Sequence, residues 1–101
     1  MRTTRTANRD MSEPISRLDE FEGSNVFAEF KDRRYVIYSY GYHFPMYIHI
    51  EGKWIGNSDK YSVTTSKHMS QAYPGRVDKY ISNPQMMDLA KGYITLQDIG
   101  L

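Results

Sequence analysis

Cysteine is absent from the 101-residue chain. That excludes disulfide staples, thiolate zinc sites and a cysteine nucleophile, and it fits a reducing cytoplasm. Histidine is scarce: His43, His49 and His68 form no spaced ligand motif, so neither a metal nor a cofactor is expected. No apolar run approaches the roughly 18 residues of a membrane span, and the N-terminal arginines have no apolar stretch behind them, so neither membrane insertion nor a secretory signal is expected. Charge of one sign is lacking too. Thirteen basic residues against twelve acidic ones leave a formal charge of +1, which provides no global attraction to nucleic acid or anionic lipid and argues against an acidic DNA mimic.

What is abundant is tyrosine, with nine copies beside a single tryptophan. Tyrosine favours strands and half-buried surfaces, and it favours recognition surfaces because it presents a large area with a polar tip. Residues 1–23 carry mixed charges and sparse apolar residues without a period. They read as a flexible arm, with at most a helical turn near Ser16–Phe21. Arg2, Arg5 and Arg9 are positioned to touch phosphates or simply to solvate this arm.

Residues 24–101 read as a single α+β domain. "NVFAEFK" alternates Val26, Ala28 and Phe30 against Phe27 and Glu29, and Asp32-Arg33 is a plausible turn. "RYVIYSYG" sets Val36, Tyr38 and Tyr40 against Tyr35, Ile37 and Ser39, and "PMYIHI" sets Met46, Ile48 and Ile50 against Tyr47 and His49. Glu51-Gly52 is a hairpin signal before a short strand in "KWIGN". These spacings predict an antiparallel meander of about four strands with one apolar and one tyrosine-rich face. Tyr61-Ser62-Val63 is a candidate for further strand pairing. Thr64 or Thr65 is a good N-cap for a helix over about 66–73, stopped by Pro74-Gly75. "RVDKYI" is ambiguous between strand and helix. A second helix is expected with Asn83 as cap, Pro84 in the first turn and Gly92 at the end. "YITLQDI" suits a last strand or a docked tail. The two short helices would cover one sheet face, giving two layers.

Three groups of residues could carry function. In "TTSKH", Thr64, Thr65, Ser66, Lys67 and His68 would surround the positive end of a helix, where an anion binds; capping alone explains the same residues. His43 and His68 could form an acid–base couple, with Lys67 stabilising charge, in a metal-free nuclease; alternatively both are ordinary surface or loop residues. Tyr35, Tyr47 and His49 could form an aromatic strip on the uncovered sheet face, to stack bases or dock a protein, unless the tyrosines merely pair across strands. Lys31, Arg33, Arg34, Lys53 and Lys60 fall at turns, interspersed with Glu29, Asp32, Glu51 and Asp59, which weakens the case for nucleic acid. Met86 and Met87 beside Leu89 have the spacing of core filling.

The stretch "YVIYSYGYHFPMYIHIEGKWIGNSDKYSVTTSKHMSQAYPG", residues 35–75, resembles a group of small proteins of bacteriophages, prophages and plasmids. The shared shape is a tyrosine-rich strand ending "YSYG", a His-Phe-Pro step, a tryptophan-bearing strand and a "YSxTTSxHxSQ" segment. Here it is carried by His43, Phe44, Pro45, Trp54, Tyr61, Ser62, Thr64, Thr65, Ser66, His68, Ser70 and Gln71. Met69 and Tyr73 stand where the pattern implies more polar or basic residues. The resemblance implies a mobile-element product acting in the bacterial cytoplasm, where it binds a host macromolecule, most simply a host protein, to redirect it or block a defence system. It brings no catalytic residue. Direct nucleic-acid binding in a regulatory role and the nuclease remain the alternatives.

Overall fold

The computed structural model describes residues 4–5, 12–23, 25–59 and 63–101. Its centre is the expected meander. Strands β3 (Val26–Lys31) and β4 (Arg34–Ser39) pair antiparallel across Asp32-Arg33, where both residues have positive φ, 52° and 66°. Strands β5 (Pro45–Ile50) and β6 (Lys53–Asn57) pair across Glu51-Gly52, again with positive φ, 51° and 77°. Two consecutive left-handed residues make the tight turn whose twist matches that of the flanking strands. Tyr38, the penultimate residue of β4, pairs with Pro45, whereas Ile37 pairs with Tyr47, so a bulge leaves Met46 without a direct partner. Met46 therefore joins the core cluster of Tyr35 and Ile37, not that of Ile48 and Ile50 as simple alternation suggested.

The sheet is larger than four strands. Its order is β1-β2-β3-β4-β5-β6-β7, with β1 at Thr4–Arg5, β2 at Phe21–Glu22 and β7 at Lys79–Ile81. The two outer pairs, β1·β2 and β6·β7, are parallel, and each is connected through a helix: α1 (Ser12–Ser16) and α2 (Val63–Gln71). Parallel neighbours need such a crossover, and the crossover lays its helix on a sheet face. Ile15 of α1 and Met69 of α2 fall in one buried cluster with Phe21, Tyr35, Tyr47 and Trp54. On the opposite face, α3 (Asn83–Lys91) and a 3-10 turn at Gln97–Ile99 bury Met86, Leu89, Leu96 and Ile99 against Val36, Ile48 and Ile55. The α+β class stands as expected, but there are three layers rather than two.

Three expectations are corrected by this packing. Residues 12–22 do not form a free arm: Ile15 and Phe21 are buried in the core, and the carbonyl of Asp19 accepts the Tyr35 hydroxyl at 2.7 Å. Sparse apolar residues without a period conceal a segment that contributes one side chain at a time. Arg2 and Arg9 lie outside the described residues, as do Lys60, Tyr61 and Ser62. Second, the tyrosine face is not open. Third, α2 begins at Val63, so Thr64 and Thr65 stand inside its first turn and are not its cap.

The helix ends of α3 follow the expected chemistry with a shift of one residue. The cap is Ser82, whose N–H donates to the Gln85 side chain at 3.2 Å, and Pro84 lies in the first turn. Gly92 closes the helix in the left-handed conformation at φ 82°. "RVDKYI" resolves as strand β7, and the C-terminal "YITLQDI" as the docked 3-10 turn.

Candidate binding site

Two residues of the expected aromatic strip, Tyr35 and Tyr47, are part of the core. Tyr35 is 0% exposed and Tyr47 3%. Each buried hydroxyl has found a carbonyl: Tyr35 donates to Asp19, and Tyr47 donates to Met69 at 3.0 Å. Burial pushes both phenols well above their usual range, so both stay neutral and donate. Tyr35 meets the Trp54 ring edge to face at 6.2 Å. His49 is half-buried beside the same tryptophan, 5.0 Å between centroids, and its pKa is lowered by burial and then by the Arg76 charge. No stacking platform is available on these three residues.

The proposed histidine couple is not brought together either. His68 is buried on the α2 side, its Nδ1 2.8 Å from the Ser39 Oγ, with the Tyr40 ring 5.2 Å away. His43 stands on the other side of the sheet, in a cavity lined by Tyr38, Tyr42, Met87, Ala90 and Lys91. A hydroxyl within reach of an imidazole has the parts of a nucleophile and its base. Ser39 and His68, however, are 1% and 3% exposed, so a substrate has no access to them. The pair ties α2 to β4. Burial, with Lys67 next in the chain, lowers the His68 pKa and favours the neutral ring. Lys67 itself is exposed. The side chains of Thr64 and Thr65 lie outside the described residues. Among the described residues, no group of three histidine or carboxylate side chains could hold a metal ion.

Of the "TTSKH" residues, Ser66 leads to a cleft. Residues Ser66, Met69, Ser70 and Tyr73, from α2 and the turn after it, face Asn57 and Ser58 at the end of β6, Tyr80 of β7 and Tyr47 of β5 across a space of about 570 Å³. This is the crevice beside a βαβ crossover, near the carboxyl end of a parallel strand, where open sheets with helices commonly admit ligands. Tyr73 and Tyr80 are 48% and 51% exposed. Tyr73 stands edge to face on buried Tyr47 at 6.3 Å. Tyr80 lies directly over its strand neighbour Gly56: a Cβ there would come within 2.6 Å of the ring.

The floor of the cleft is braced by a polar network. Asn57 is fully buried, and its amide nitrogen donates to the Pro45 carbonyl at 2.9 Å and to the Asn83 side chain at 2.8 Å. Its oxygen accepts the Asp59 N–H at 2.8 Å. The Asp59 carboxylate accepts the N–H of Asn83, and the Asn83 amide donates to the His43 carbonyl at 3.1 Å. A buried amide with both N–H donors used and its oxygen bonded is held in place, and this one joins β5, β6 and the start of α3.

Sequence reading missed Ser58, Tyr73 and Tyr80 as a group, because they are far apart in the chain and β7 was ambiguous. One signal was available. Gly56 interrupts a strand, and a glycine there marks close approach by another group. Among the described residues no helix is long and apolar enough to cross a membrane. Set beside family models, curated proteins and solved structures, the chain gives no match.

Proposed function

We propose that the chain is a small, non-catalytic accessory protein of a phage or other mobile element, which binds a macromolecule of the bacterial host in the cytoplasm. The tyrosine-walled cleft between α2 and the β6·β7 pair is its contact surface. One observation carries this reading: two half-exposed tyrosines and three serines converge on a cleft with a braced floor, and no charged side chain lines it among the described residues. Exposed, propped aromatics with hydroxyls around them suit recognition, since they offer contact area at low entropic cost. Catalysis is not favoured, because the two histidines expected to cooperate face opposite sides of the sheet. The "YSYG", His-Phe-Pro and "TTSxHxSQ" resemblance supports the mobile-element origin.

The test is affinity capture from bacterial lysate with the wild-type chain and with Tyr73→Ala. Tyr73 is half exposed, so its removal leaves the core intact. Loss of the captured species supports the cleft, whereas capture indifferent to Tyr73→Ala removes it. Capture that weakens steeply with added salt would point instead to a nucleic-acid backbone.

A further inference from the structure

We propose that the cleft beneath Tyr73 and Tyr80 takes a neutral saccharide, presented by the host macromolecule. This rests on the reading of the cleft as the contact surface. Its remaining hydrogen-bonding capacity is almost entirely hydroxyl. The Asn57 amide has spent both N–H donors and accepts one hydrogen bond at its oxygen within the protein, and the Tyr47 hydroxyl donates to Met69. Ser58, Ser66, Ser70, Tyr73 and Tyr80 have no side-chain hydrogen-bond partner among the described residues. A hydroxyl rotates and both donates and accepts, so a rim of them complements a ligand whose own groups do the same. Sugar hydroxyls have that character.

The two rings provide the other half of the match. A pyranose has C–H faces that are weakly positive, and a phenol ring has a negative face. Tyr73 and Tyr80 come from opposite walls, and each is propped, one on Tyr47 and one on the bare backbone of Gly56. Propping fixes ring positions before a ligand arrives and reduces the ordering cost of binding. The space of about 570 Å³ is of the size that holds small ligands. An anion would find no counter-charge among the described lining residues, and burying it there is unfavourable. A purely apolar ligand would strip water from the serines without replacing it. A nucleobase would stack, but its fixed donor and acceptor edge calls for amide or carboxylate readers, and the cleft's one amide is occupied.

The experiment is an NMR titration of the isotope-labelled full chain with maltotriose, cellotriose and triacetylchitotriose at millimolar concentration, alongside uridine monophosphate and heparin. At least one neutral trisaccharide should shift the amides of Ser66, Ser70, Tyr73 and Tyr80 saturably, with no change in affinity on raising salt. Tyr73→Ala should weaken that binding about tenfold, the loss of one stacking face. Absence of any response to the three sugars overturns the proposal, as does binding confined to the nucleotide or to heparin. If the sugars fail while Tyr73→Ala still abolishes capture from lysate, the saccharide inference falls and the binding reading stands. If capture ignores Tyr73→Ala, that reading falls whatever the sugars do.

Discussion

Gly56→Ala should be disproportionately costly for a single methyl on a strand that ordinarily tolerates alanine. A Cβ at this position would lie 2.6 and 2.8 Å from two carbons of the Tyr80 ring and 3.1 Å from Val77. The strand backbone cannot retreat, because Gly56 pairs with Tyr47 on one side and Tyr80 on the other. The ring must therefore swing into solvent, where it is already half exposed. Inserting a methyl into a filled contact costs about 1–3 kcal/mol. For a chain of this size a loss near the middle of that range lowers the melting temperature by roughly 8–16 °C. The assay is thermal and urea unfolding of Gly56→Ala, Tyr80→Ala and the double variant. If the steric account holds, the methyl costs much less once the ring is gone, and the cycle shows a coupling of about 1 kcal/mol or more, as expected for groups in contact. Additive losses would refute it and place the cost in the strand backbone. The same variant should disturb the cleft, because its β7 wall is the displaced ring.

Further expectations follow from the core and its buried polar groups. Ile15→Ala should destabilise the fold by about 2–5 kcal/mol in urea unfolding, the cost of a core cavity; a change within error would return this segment to solvent. Tyr47→Phe should cost about 1 kcal/mol, since it strips a hydrogen bond from the Met69 carbonyl in the last turn of α2. An unchanged midpoint would mean that water replaces the phenol. His68 and His49 both have pKa values lowered by burial, so the unfolded chain binds protons that the folded chain refuses. Stability is then complete above the unfolded histidine value, near 6.5, and declines as pH falls below it through the folded values. Melting temperatures from pH 7.5 down to about 5 should fall, and His68→Asn should flatten part of that slope; a slope unaffected by the substitution would assign it to other groups.

Legibility in the chain varied with how local the determining interaction was. Asp32-Arg33 and Glu51-Gly52 were readable because a two-residue turn between alternating runs needs little beyond its own residues. The end of α3 at Gly92 was readable for the same reason. The parallel edge strands were not, since Thr4–Arg5 and Lys79–Ile81 have no pattern of their own and are defined by a neighbour distant in sequence. The tyrosines misled for a different reason. Alternation places Tyr35 and Tyr47 on one face, but whether that face meets water depends on where α1 and α2 land, and a phenol buries readily once its hydroxyl finds a carbonyl. The histidines shared a motif in the chain and separated in space because β4 and its loop send Ser39 and His43 to opposite sides of the sheet.

Composition, turn chemistry and two-residue alternation thus determined by themselves the α+β class, the central meander and the exclusion of cysteine chemistry, because each depends on near neighbours or on residue type alone. The tertiary structure alone decided which tyrosines are scaffold and which are surface. It closed Tyr35 and Tyr47 under the crossover helices and left Tyr73 and Tyr80 at the rim of a cleft. The physical reason is that burial is a property of what packs against a side chain, and the partners here come from the two ends of the sheet.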